Sequence, residues 1–212
     1  KDPGALPLLQ DALLELYERR DEPKRLLTFA AYKAMGGVEG ALGKRATETF
    51  DGLDEAAQSA LEEILPLLVS VESGGEQNAV RRRAPFAELT ATPARKSLTE
   101  ALIQARFLMT DREGEEQIPV AGLAHEALLR RWGRLKEWTD HNRDLLRLRT
   151  TVEQGESRWE HSGRNASLLL PSGLPLEEGR RLLRDGGHLL GAGAREYVEI
   201  SIARREAEVA QR

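Results

Sequence analysis

The stretch Ile118-Pro119-Val120-Ala121-Gly122-Leu123-Ala124-His125-Glu126-Ala127-Leu128-Leu129-Arg130-Arg131-Trp132 constrains the fold more than any other. It reads as a short strand, a glycine bend and then a helix whose first turn carries a histidine and a glutamate. Leu128, Trp132 and Leu135, flanked by Leu129 and Trp138, recur at helical spacing and predict one buried stripe. A helix running from about Ala124 to Asp140 would set His125 beside unpaired backbone N–H groups and the positive end of the helix dipole. That environment suits an anion such as phosphate. A histidine at a helix start also serves as a local hydrogen-bonding or core residue, and the residues alone leave both roles open.

The segments before this stretch predict mostly helices. Gly4-Ala5-Leu6-Pro7-Leu8 leads into a helix with apolar positions 9, 13, 16 and 17, and Pro7 suits a first turn, where its missing N–H costs nothing. Asp21-Glu22-Pro23-Lys24 is a turn, Leu27 to Met35 a helix closed by Gly36-Gly37, and residues 38–50 a helix with Val38, Leu42, Ala46 and Phe50 on one side. Asp54 is placed to cap a strongly amphipathic helix carrying Leu61, Ile64, Leu65 and Leu68. Ser73-Gly74-Gly75-Glu76 is a loop, and Val80-Arg81-Arg82-Arg83 is a short edge strand because Pro85 follows it. Phe86 to Leu89 predicts a short helix, and Thr92-Pro93 opens another with Leu98, Leu102 and Ala105 inward. Phe107 to Thr110 and Gln117 to Val120 then pair as a hairpin. Three helices followed by a β-hairpin is the winged-helix arrangement.

Beyond the hairpin the chain reads as two long helices, about 124–140 and 142–161, then a short one over 176–184 and a last one from about Gly193. Trp132, Trp138 and Trp159 all fall in the long pair and read as core. The class is mainly α, with 40% hydrophobic and 31% charged residues. A net charge of -4 argues against a dedicated nucleic-acid binder. No cysteine is present, which removes disulfides, cysteine-zinc sites and thiol nucleophiles. With no apolar run long enough to span a bilayer and no signal peptide visible, a cytoplasmic location is expected.

The wording Val-x-x-Leu-Ala-His-Glu-Ala-Leu-Leu-Arg-Arg-Trp resembles the winged-helix segment of bacterial STAND-type signalling NTPases, and the Met-His-Asp motif that ends the winged helix in related NB-ARC proteins. Ala124 stands at the Met position, His125 at the His and Glu126 at the Asp, so only the histidine is retained. Leu6-Pro7-Leu8 resembles the Gly-Leu-Pro-Leu motif of the family's helical domain, with Ala5 replacing the adjacent glycine. Leu27 to Leu42 is similar to the same proteins.

The resemblance implies a helical-domain remnant at 1–52, a winged helix at 53–123 and a helical extension at 124–212 leading toward a sensor region. By family analogy His125 would touch the β-phosphate of ADP and Pro7 the adenine. ATP or ADP, with Mg, would be held in a parent protein between these residues and a phosphate-loop domain. Its other expected partners are a sensor or repeat domain and, on activation, further copies of itself; nucleic acid and membrane are not expected. Gly173-Leu174-Pro175-Leu176 spells the family motif literally but lies downstream of His125, and it reads as a helix start with acidic first-turn residues.

No Gly-x-x-x-x-Gly-Lys-Ser/Thr loop occurs, so the chain is expected to be a non-catalytic, regulatory piece of a longer signalling ATPase. The histidines at 125, 141, 161 and 188 have no zinc-ligand spacing, and Glu62-Glu63 and Glu115-Glu116 read as solvated surface. Arg81-Arg82-Arg83 could touch DNA together with Arg95 and Lys96, or pair within the molecule; the net charge favours the second. The rival functions are a winged-helix DNA-binding regulator and a helical protein-interaction scaffold.

Overall fold

The computed structural model describes residues 5–72 and 78–211, the side chains of residues 5–8, 10 and 11 excepted. It is mainly helical with a small antiparallel sheet, and it divides into two compact units, residues 1–69 with 80–140 and residues 70–79 with 141–212. The expected loop at Ser73 to Glu76 lies outside the described residues.

The first unit opens with α1 (Ala5–Glu18), α2 (Phe29–Ala34) and α3 (Gly37–Asp51). Thr28 caps α2 by accepting from the Ala31 amide, and Gly36 closes it at φ 76, a left-handed turn that favours glycine. Leu42, Ala46 and Phe50 of α3 are buried, as the spacing predicts. Asp54 caps α4 (Glu55–Ser59), its side chain accepting from the Ala57 amide. The amphipathic stretch is therefore two helices, α4 and α5 (Leu61–Leu68), meeting at Ala60.

Two short strands, β1 (Val69–Val71) and β2 (Ala79–Arg81), pair as a ribbon. The basic run is then split: β3 (Arg83–Pro85) starts a second sheet. After α6 (Phe86–Leu89) and α7 (Pro93–Gln104, capped by Thr92) come β4 (Leu108–Glu113) and β5 (Ile118–Leu123). The sheet order is β3-β5-β4, antiparallel throughout, with Arg83 opposite Gly122 and Gly122 opposite Met109. Ala84, Ala121 and Leu123 on the other face are buried, and so are Val120 and Gly122, so this end of β5 is buried on both faces.

Past β5 the outcome departs from the sequence expectation. The helix foreseen from Ala124 to Asp140 is α8 (Ala127–Arg131), which stops at Trp132 where ψ is 105°. A new helix, α9 (Gly133–His161), then runs without a break through Asp140, His141 and Asn142 and merges the two long helices expected there. Its later part belongs to the second unit. Gly133 explains the position of the break, since it is a weak helix former, whereas Asp140-His141-Asn142 contains neither glycine nor proline.

The second unit packs α9 from His141 onward with α10 (Leu174–Gly186) and α11 (Ala192–Ala210). Its core joins Leu148, Val152, Trp159, Leu182, Tyr197 and Val198. Tyr197 hydroxyl donates to the Leu168 carbonyl at 2.9 Å, and burial pushes its phenol above the ordinary tyrosine range. Pro175 stands in the first turn of α10 with Glu177 beside it, the helix-start role expected of that literal motif. Arg149 is fully buried on α9 with its Nε 3.8 Å from Glu153, a charged core residue that periodicity alone does not find.

Candidate functional site

The strand-to-helix junction at His125 is held from three sides. Its entry is fixed by backbone: the Ala124 amide donates to the Phe107 carbonyl at 2.8 Å. One nitrogen of Arg81 donates to the carbonyls of Leu123 and Ala124, at 3.1 and 2.8 Å, so the residues leading into His125 share one guanidinium. Phe107 is itself buried beneath Arg45, whose carbon Cζ lies 5.2 Å from the ring centroid and whose Nη2 donates to the Ala105 carbonyl at 2.6 Å.

His125 is only 5% exposed. It precedes α8 rather than sitting in its first turn; Glu126 is the cap residue, in helical backbone and with no side-chain capping bond. The helix start expected near Ala124 is therefore corrected to Ala127, with His125 one residue before the cap. With five residues, α8 carries a small dipole, and the ring is packed inside the unit rather than presented to solvent. His141, His161 and His188 are exposed.

The far side of the junction is α3. Trp132 closes α8 and meets Phe50 of α3 edge-on, centroids 5.9 Å apart and planes at 66°. Glu39 in the first turn of α3 accepts from Arg131 at 3.0 Å and from Arg130 at 3.4 Å. Gly43, one turn further along α3, allows the helices to close: a Cβ there would lie 2.2 Å from the Arg131 carbonyl oxygen. Sequence reasoning missed both Glu39 and Gly43. A signal existed for the glycine, because an interior helical glycine costs stability unless a close approach requires it.

The bond from Arg131 is the chief cause holding the Glu39 carboxyl below the ordinary glutamate range; burial opposes it, and Arg130 adds to the lowering. A carboxyl lowered in the fold contributes stability above its unfolded pKa and loses it as the pH falls through the folded value. The stability difference between the natural chain and Glu39→Gln is therefore expected to be present at pH 6 and to vanish well below pH 4. Carboxyl NMR titration checks the cause: Arg131→Gln should raise the Glu39 midpoint, and an unmoved midpoint would remove Arg131 as its source.

Pro7 lies in the first turn of α1, and its side chain is outside the described residues. The basic residues are engaged within the unit. Arg83 pairs with Asp111 at 3.1 Å, Arg95 with Glu63 at 2.7 Å and Lys96 with Glu100 at 3.8 Å. Glu62, Glu63, Glu115 and Glu116 are exposed. Among the described residues no group of three or more His, Asp or Glu side chains could hold a metal ion, and no helix is long and apolar enough to cross a membrane.

No curated protein and no solved structure matches the chain. A family model does: that of Novel STAND NTPase 1 covers residues 1–167, which takes in all of the first unit and the whole of α9. With the His125 junction and the helices bracing it inside that span, the chain belongs to the Novel STAND NTPase 1 family.

Proposed function

We propose that this chain is the regulatory, non-catalytic part of the nucleotide-binding module of a STAND signalling NTPase, coupling bound ADP to activation and assembly. The observation that carries the reading is the family match across the whole first unit. The order α5, β3, α6, α7, β4, β5, with the first strand beside the last, supports a winged helix over this part of the chain. Nucleotide hydrolysis belongs on this reading to a phosphate-loop domain of the parent protein, which also holds any magnesium.

An apolar patch supports such a partner. Leu9, Leu13, Leu14 and Tyr17 on α1 are exposed, as are Leu26, Leu27 and Phe29, the last at 75%. Several large apolar side chains exposed on one helix mark a surface that another body can cover. The phosphate-loop domain is the proposed cover.

His125 fits a diphosphate in one respect: an imidazole can donate a single charge-assisted hydrogen bond to a phosphate oxygen. Its burial makes the ring part of the packed junction, so a contact made there is coupled to the position of α8. Release of the contact on signalling would shift a two-state equilibrium by the difference in nucleotide contacts.

In the full-length protein, His125→Ala is expected to weaken ADP roughly ten- to hundredfold, the loss of one hydrogen bond to a charged group. Measuring ADP release and thermal unfolding together separates ligand contact from packing. ADP release within twofold of the natural protein, in a variant that still folds, would sink the proposed role.

A further inference from the structure

We propose that the outer face of the β3-β5-β4 sheet is a binding site for a compact, multiply charged phosphate ligand. A cleft of about 490 Å³ opens there, bounded by the arginine run on one side and β4 on the other. The register sets Arg83, Gly122 and Met109 side by side across the three strands. Gly122 has no side chain, which lets the arginine run lie close against the middle strand: a Cβ there would come 3.0 Å from the Arg82 carbonyl oxygen and 3.3 Å from Arg83 Cγ. Met109, 50% exposed, gives it an apolar wall.

The charge in this furrow is uneven. Arg81 and Arg83 line it against one carboxylate of the lining, Asp111, which Arg83 engages at 3.1 Å. Arg81 is held in place by two neutral carbonyls, which fix its direction without cancelling its charge. A pre-oriented guanidinium in a concave site suits bidentate recognition of phosphate.

Size and surroundings favour a small ligand over a nucleic acid. The volume lies in the usual range for small-molecule sites. Glu113, Glu115 and Glu116 stand exposed along the end of β4 and the turn beyond it, where a long phosphate backbone crossing the sheet would meet like charge. The site does not depend on the nucleotide role of His125. It is nevertheless tied to that junction, because Arg81 serves both the cleft and the carbonyls of Leu123 and Ala124.

The test titrates inorganic tripolyphosphate into the intact chain by calorimetry. Saturable binding with one ligand per chain is expected, weakening with added salt and falling about tenfold in Arg83→Gln, whose side chain is exposed and whose loss leaves the fold standing. Arg81→Gln should weaken it as much, once circular dichroism shows native helix content. Lys136→Gln, on a distant helix surface, should leave it unchanged. Slower amide exchange at Ala124 to Leu128 on binding would support the link through Arg81. The proposal is overturned if tripolyphosphate fails to saturate at millimolar concentration, or if neither arginine change weakens it. It is equally overturned if citrate binds as tightly, or if a DNA duplex binds more tightly with the same arginine dependence.

Discussion

Replacing Trp132 with alanine is expected to destabilise the first unit by about 3–5 kcal/mol, the range for truncating a fully buried aromatic side chain. Trp132 is 1% exposed, sits at the break between α8 and α9, and rests edge-on against Phe50. Arg134 stacks on the same Phe50 ring at 4.9 Å and pairs with Asp51 at 3.0 Å, so the indole fills the gap between α3 and the chain leaving α8. Removing it leaves a cavity that two crossing helices cannot collapse without moving. A second substitution sharpens the expectation. The buried indole Nε1–H of Trp132 has no hydrogen-bond partner among the described residues, so its polarity adds nothing to the fold. Trp132→Phe should therefore cost no more than about 1.5 kcal/mol, the usual limit for an apolar change of modest volume. Urea unfolding followed by far-UV circular dichroism measures both. If the alanine variant lost less than the phenylalanine variant, the packing account of this junction would be wrong.

The same junction separates what the sequence makes legible from what it does not. Caps were readable because their chemistry is local: Asp54 and Thr92 each bond the amide three residues on, and no distant residue decides that. The hairpin was readable for the same reason, its strands flanking a short polar turn. The helix break at Trp132 was half readable, since Gly133 signals it, but the long apolar stripe through 128, 132 and 135 points to one continuous helix. Periodicity reports which side is buried and is silent on a change of direction that keeps the same residues inside. The break at Ala60 carries little local signal, because Ser59 alone among its near neighbours is not a strong helix former. Arg149 shows the opposite failure. A charged residue beside Leu148 reads as solvent-facing, yet it is buried, because long-range contacts decide whether a guanidinium is enclosed. The position of His125 at a helix start is legible in the residues and its β-phosphate role only through the resemblance, while its burial follows from the strand and helix packed on either side of it.

Gly43→Ala is expected to destabilise the first unit by roughly 2–3 kcal/mol, although alanine is the better helix former by about 1 kcal/mol. The added Cβ would stand 2.2 Å from the Arg131 carbonyl oxygen and 2.8 Å from its carbon. Both atoms are backbone, so no rotamer change relieves the clash; α3 and α8 must separate. Separation also lengthens the bonds from Arg130 and Arg131 to Glu39, which lies one turn back on the same face of α3. Gly133 supplies the opposite case. A Cβ there meets nothing within 4 Å, and its backbone is compatible with any residue, so Gly133→Ala should be neutral or stabilising by a few tenths of a kcal/mol up to about 1 kcal/mol. Two glycine-to-alanine changes, one on α3 against Arg131 and one at the start of α9, should thus move stability in opposite directions, a pattern that helix propensity cannot produce. Amide exchange at Leu128, whose N–H bonds the His125 carbonyl at 3.2 Å, reads the same event at the junction. It should quicken in Gly43→Ala and hold steady in Gly133→Ala. Equal exchange in the two variants would mean that α3 does not set the position of α8, and that the bracing of His125 comes from the sheet side through Arg81.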